Sequence, residues 1–170
     1  MLKLYYYPSN ASFAPHVLLE ETGKDYELVL VDRNQGAHKS AEYLKLNPSG
    51  RIPALIDGDL VLFETAAVCL HIADKYPECG LAPAVGTTER SVFHKWLFYI
   101  ATTIQPEILL YYYGDRHATS EDGTAAVKAA AEARLGEMYV IVDEAMGDGP
   151  YLMGEQYSLL DPYLYMVCRW

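Results

Sequence analysis

Apolar and polar positions alternate along residues 2–7, with Leu2, Leu4 and Tyr6 on one face and Lys3, Tyr5 and Tyr7 on the other. A period of two predicts a strand. Pro8 closes it, and Phe13, Val17 and Leu18 then recur at helical spacing opposite His16, Glu20 and Glu21. Proline is tolerated in a helix only in the first turn, so Pro15 places the helix start near Ser12, and Gly23 is a suitable stop. The short run ELVLV, residues 27–31, is apolar on both faces and predicts a central strand. Strand, helix and strand within about thirty residues form a right-handed parallel βαβ unit.

Residues 32–40 are polar and read as a loop, and residues 41–46 as a short helix. Asn47-Pro48-Ser49-Gly50 is turn chemistry. Two apolar runs, residues 54–56 and 60–63, flank Asp57-Gly58-Asp59 and predict a hairpin. A helix over residues 65–76 follows, with apolar positions at 66, 69, 70 and 73. The order is β-α-β-α-β-β-α, with a parallel first pair and an antiparallel last pair.

Residues 77–86, PECGLAPAVG, carry two prolines and two glycines and read as a linker. Only helical periods lie beyond it. Val92, Phe93, Trp96, Leu97, Ile100 and Ile104 form one stripe, which Pro106 should kink or end. Val127, Ala131, Leu135, Met138, Val142 and Met146 form a second. Ser158-x-x-Asp161 opens a third helix as a capping-box variant. Pro162 fits that helix only if its start is shifted. The domains expected are 1–76, a linker 77–86 and an all-α domain over 87–170. The last helix ends with apolar residues still running, so the second domain is expected to be incomplete at its C-terminus.

Composition narrows the function. Of 170 residues 51% are hydrophobic, enough for a core, and 13 basic against 23 acidic residues give a net charge of −10. That charge argues against a nucleic-acid partner and against adsorption to an anionic membrane. The three cysteines, Cys69, Cys79 and Cys168, are scattered without a CxxC, and the five histidines lack metal-ligand spacing. No metal is expected. With no signal peptide and no membrane-length apolar run, a cytoplasmic protein is the expectation.

The strand-to-helix junction Ser9-Asn10-Ala11-Ser12 is the first chemical candidate. A helix N-terminus presents unpaired N–H groups and a positive dipole end, which suits an anion and lowers the pKa of a nearby thiol. Shifting a thiol by about two units takes about 2.7 kcal/mol. One hydrogen bond to a charged acceptor contributes about 1.5–3 kcal/mol and the helix end about 0.3–1 kcal/mol. One hydroxyl plus the helix end is therefore sufficient. The bland reading makes Ser12 an ordinary N-cap.

Four segments resemble the cytosolic glutathione transferases, in particular the bacterial beta-like members. They are YYYPSNASFAPH at the junction, NPSGRIPAL, LFETAAVCLHIADKYP, and YSLLD ahead of the last helix. The resemblance implies an α/β thioredoxin-like N-terminal domain followed by an all-α C-terminal domain. It also implies a homodimer and a detoxification enzyme that adds the thiolate of reduced glutathione to a small apolar electrophile. Glutathione would be a co-substrate, with no tightly bound cofactor. Ser12 would be the catalytic donor to the thiol, with Asn10 and Ser9 as the other choices. Pro53 would be cis, and Ile52 would offer its backbone to the cysteinyl part. Glu64 would take the ammonium and Thr65 the carboxylate of the γ-glutamyl part. Lys39, Arg51 and His38 would reach the glycyl carboxylate. Beta-like members carry a cysteine where this chain has Ala11, so mixed-disulfide chemistry with glutathione should be missing. Gln105 and Pro106 replace a histidine and a lysine of the beta pattern. The tyrosine cluster LLYYYGD, residues 109–115, would line an apolar substrate pocket, with plain domain packing as the equal alternative. A glutathione-dependent peroxidase or reductase, and a non-catalytic interaction protein on the same fold, are the alternatives.

Overall fold

The computed structural model describes residues 1–170 throughout. Contacts divide it into two compact units, Met1–Val85 and Gly86–Trp170.

The first unit holds β1 (Leu2–Tyr6), α1 (Phe13–Thr22), β2 (Tyr26–Leu30), α2 (Ala41–Leu46), β3 (Ala54–Asp57), β4 (Leu60–Phe63) and α3 (Thr65–Lys75). Each element follows from local chemistry. Gly23 ends α1 in the left-handed region, where a side chain would be strained. Ser40 caps α2 by accepting from the Tyr43 N–H. Asp57 and Leu60 face each other across the turn that joins β3 to β4.

The sheet order is β2-β1-β3-β4, with β1 parallel to β2 and both other pairs antiparallel. The order corrects one expectation: β2 is an edge strand, not a central one. Its apolar run is only half-buried, and Leu30 is 55% exposed, because β1 pairs with β3 on its other side and nothing pairs beyond β2. Leu2 and Leu4 are fully buried, and α1 packs on β1 and on α3. Tyr5 on β1 and Tyr7 just beyond its end join a second small core with Val31, Tyr43, Ile52 and Ala54. The buried stripe of α3 is Thr65, Val68, Cys69, Ile72 and Ala73. It is rotated from the expected one, because the β-branched Val68 and Ile72 turn inward and leave Ala66 and Leu70 half-exposed. The residues read as a linker include a 3₁₀ turn, Pro77–Cys79, whose Glu78 pairs with Lys24 at 3.2 Å.

The second unit holds α4 (Thr88–Tyr99), α5 (Gln105–Tyr112), α6 (Glu121–Met146) and α7 (Leu160–Cys168). A π turn, Ile100–Ile104, joins α4 to α5. Pro106, in the first turn of α5, explains it. Proline has no N–H and its ring would strike the carbonyl four residues back, and the wider turn removes both problems. Val92 drops out of the expected α4 stripe and Arg90 is buried in its place, its Nε 2.9 Å from His94 Nε2. The α6 stripe faces inward as expected, with Ala131 and Val142 buried and the other four half-buried. Ser158 and Asp161 form a reciprocal cap: Asp161 accepts from the Ser158 N–H at 2.7 Å, and Ser158 Oγ accepts from the Leu160 N–H at 3.2 Å. With α7 starting at Leu160, Pro162 falls in the first turn, where no N–H is required. No helix is long and apolar enough to cross a membrane.

Candidate functional site

Strand direction gathers the candidate residues. Tyr6, the last residue of β1, faces Leu30 at the end of β2. Tyr5 faces Ala54 at the start of β3, and Ala54 faces Phe63 at the end of β4. The junction 7–12, the loop after β2, the Ile52-Pro53 step and the Glu64-Thr65 step therefore share one end of the sheet.

At the junction, Ser9 is exposed and sits at φ 52°. The Phe13 N–H donates to the Asn10 carbonyl at 2.9 Å, and the Ala11 N–H donates to Asn10 Oδ1 at 2.7 Å. That second bond fixes which way the Asn10 amide faces, because an amide nitrogen could not accept there. Asn10 Nδ2 makes no hydrogen bond within the protein. Ser12 behaves differently from the expectation. Its hydroxyl donates to the Tyr7 carbonyl at 3.1 Å and accepts from the Tyr7 N–H at 3.2 Å. It is 2% exposed and caps no N–H of α1. The hydroxyl expected to face a thiol closes the strand-to-helix loop instead, and the first turn of α1 is left without a side-chain cap.

Ile52-Pro53 is cis. Ile52 is buried and precedes Ala54, the first residue in the β3 ladders, so its backbone is not used by the sheet. Glu64 holds φ 73° just before α3 and caps nothing with its side chain, leaving its carboxylate exposed. A non-glycine residue there costs about 1–3 kcal/mol, and such strain concentrates at ligand clamps. Thr65 is buried, and its Oγ1 donates to the Ala11 carbonyl at 3.4 Å, tying the head of α3 to the junction.

Lys39 and Arg51 are both exposed beside the turn at residues 47–50. Lys39 Nζ donates to the Ser49 carbonyl at 3.4 Å and lies over Gly50, where an added Cβ would come within 2.6 Å of it. The backbone at Gly50 has φ 60°, which favours glycine, while the lysine end could swing aside. His38 Nδ1 is buried without a partner. Burial first, then Arg33 and Lys39, hold the His38 pKa below its ordinary value.

Sequence reasoning missed two groups. Tyr43 and Asn47 both donate to the Arg51 carbonyl; Asn47 had been read only as turn chemistry, and its four-residue spacing from Arg51 was the available signal. His16, Tyr26 and Glu20 form a chain that ties α1 to β2, in which Tyr26 bonds Glu20 and lies 3.1 Å from His16 Nε2. Burial and then Glu20 push the Tyr26 hydroxyl up to about 12.

In the second unit, Gln105 Oε1 accepts from the Tyr163 hydroxyl at 2.6 Å. Tyr111 and Tyr112 stack edge to face and line a cleft of about 200 Å³ with Ile108, Leu135, Tyr139 and Trp170.

The family profile described as glutathione S-transferase, N-terminal domain, matches residues 1–74. The glutathione S-transferase GstA of Escherichia coli O157:H7 is 33% identical over 171 residues, covering 99% of this chain and 82% of the relative. A solved glutathione transferase homologue from Sulfitobacter, with bound glutathione, superposes with a TM-score of 0.89 at 32% identity, covering 100% of this chain and 82% of that one. A glutathione transferase from Methylococcus capsulatus superposes with a TM-score of 0.84 at 37% identity and the same coverage.

Proposed function

Since the chain belongs to the glutathione S-transferase family, we propose that it binds reduced glutathione at the gathered end of the sheet. There it presents the thiolate to a small apolar electrophile. The observation that carries this reading is the convergence of an uncapped α1, a buried Ile52 ahead of a cis proline, and a strained Glu64 tied through Thr65 to the junction.

The residues divide the tripeptide among them. The N–H groups at the head of α3 receive the γ-glutamyl carboxylate, with the Thr65 hydroxyl holding that head against the Ala11 carbonyl, and Glu64 pairs with the ammonium. Ile52 meets the cysteinyl backbone as a short added strand would. Lys39 and Arg51 attract the glycyl carboxylate, with His38 beside them.

The thiol then lies at the junction. Asn10 is the better partner for it, because its Nδ2 is free and its amide is already oriented by the Ala11 N–H. The uncapped end of α1 adds its N–H groups, and Ser9 flanks the site. Ser12 serves through the hold of its hydroxyl on the Tyr7 backbone rather than by donating to the thiol. A charge-assisted bond of about 1.5–3 kcal/mol plus about 0.3–1 kcal/mol from the helix end covers a two-unit fall in thiol pKa. The thiolate lone pair attacks the electrophilic carbon, forming the S–C bond as the leaving group departs with its electrons. Ala11 offers no sulfur for thiol exchange, which disfavours the reductase alternative.

Glutathione is consumed as a co-substrate in this reading, and the physiological role is detoxification. The free cysteines fit a reducing, cytoplasmic setting. A homodimer is supported by exposed apolar side chains on β4 (Leu60, Val61 and Phe63) and on α4 (Val92 and Phe98).

The test is a pH titration of thiolate ultraviolet absorbance for bound glutathione, with Asn10→Ala and Ser12→Ala beside the parent. A bound-thiol pKa about two units below the free value, raised by about one to two units in Asn10→Ala, supports the mechanism. Saturable binding with an unshifted thiol would leave only a binding protein.

A further inference from the structure

The peptide between Arg51 and Ile52 is held from one side only. The Tyr43 hydroxyl donates to the Arg51 carbonyl at 2.7 Å, and Asn47 Nδ2 donates to the same oxygen at 2.8 Å. Both donors are buried, Tyr43 to 4% and Asn47 to 2% exposure. Asn47 is itself locked: its Oδ1 accepts from the Ser49 N–H at 3.1 Å and the Ser49 hydroxyl at 2.7 Å. These bonds fix its amide so that Nδ2 must face Arg51. The Tyr43 ring is set against Tyr5, with centroids 6.1 Å apart.

A trans peptide is planar, and its C=O and N–H point in opposite directions. The carbonyl of Arg51 and the N–H of Ile52 belong to one such unit. Two donors that draw the carbonyl toward α2 therefore aim the Ile52 N–H away from it. They also polarise the unit, so the N–H becomes a stronger donor.

We propose that Tyr43 and Asn47 are positioning residues for glutathione. They act through the Arg51–Ile52 peptide to pre-orient the N–H that receives the cysteinyl carbonyl. The inference rests on the reading of Ile52 as the glutathione clamp. It predicts an effect on glutathione affinity that is separate from chemistry on the thiol, because neither side chain hydrogen-bonds a residue of the junction. A pair of donors that only holds the loop together would produce a different signature: less folded protein, with each folded molecule binding normally.

The experiment compares Tyr43→Phe and Asn47→Asp with the parent. Tyr43→Phe keeps the ring and its packing and removes one donor. Asn47→Asp keeps the acceptor for Ser49 and turns the second donor into an acceptor facing a carbonyl. Glutathione binding is measured by calorimetry, and steady-state rates with glutathione and an activated aryl chloride. For Tyr43→Phe we expect Kd and KM for glutathione to rise about three- to tenfold, with kcat, the KM for the aryl chloride and the bound-thiol pKa unchanged. Asn47→Asp should show the larger rise. A fall in kcat at unchanged KM, or unchanged Kd in both variants, would overturn the positioning role while leaving the site in place. Failure of the parent itself to bind millimolar glutathione would overturn the reading of the site, and this inference with it.

Discussion

Glu64 shows how much one residue's backbone contributes to the site. At φ 73° a glutamate is strained by about 1–3 kcal/mol, and glycine would not be. Glu64→Gly should therefore raise thermal stability, by about 1 kcal/mol after the added chain entropy of glycine, while weakening glutathione binding through loss of the carboxylate. Paired melting and binding curves check both signs; a variant that loses stability would mean the strain is not there. The same scale shows where sequence reading stops. The motif around residues 9–12 located the junction, and helix-end physics explained why an anion belongs there. Neither could decide which polar group faces it. That depends on how the loop folds back, and the bond from the Ser12 hydroxyl to Tyr7 spans a loop whose path the sequence does not encode in any periodicity.

Elements were more legible than residues, because hydrophobic period and turn chemistry act locally. The hairpin at β3 and β4, the αL stop at Gly23 and the cap at Ser158 follow from short stretches. Pairing partners do not: β2 looked central because it is apolar, yet sheet order placed it at the edge. The π turn was equally hidden, since Pro106 announces a disturbance without saying how the helix absorbs it. One link between elements has a clear pH dependence. Asp57, on β3, accepts from Lys75 Nζ at 2.6 Å and lies 2.9 Å from His71 Nε2, both on α3. The bond to Lys75, followed by that to His71, outweighs burial and holds the Asp57 pKa below the usual carboxylate value. A carboxyl with a depressed folded pKa contributes stability above its unfolded value of about 3.9 and loses it as pH falls through the folded value. Asp57→Asn should melt roughly 2–4 °C below the parent at pH 7, with the two curves converging as pH falls through the depressed Asp57 value. A gap that persists at low pH would assign the loss to packing.

For the molecule as a whole, the apolar side chains left exposed on β4 and on α4 predict assembly. Leu60, Val61 and Phe63 on β4, together with Val92 and Phe98 on α4, stay accessible in a single copy. Sedimentation of the parent should give a dimer at micromolar concentration, and Val61→Lys with Phe98→Glu should shift it toward monomer without unfolding it. A monomeric parent would refute this. Net charge acts at this scale because it sums over the surface: at −10 it argues against a nucleic-acid partner without reference to any element.

Ala11 has a consequence for how the protein meets chemical stress. Its N–H is bound by Asn10 and its carbonyl by Thr65, so the place at the head of α1 is filled by a methyl group with no reactivity. Cys69, on α3, is sealed in the core, where burial pushes its thiol well above the ordinary value. Peroxide or iodoacetamide would thus consume the small-molecule thiol and find no cysteine at the junction, leaving Cys79 and the exposed Cys168 as the thiols within reach. Activity lost because glutathione is consumed should return on adding fresh glutathione alone, with no reductant and no lag, and any loss that persists should trace to Cys79 or Cys168.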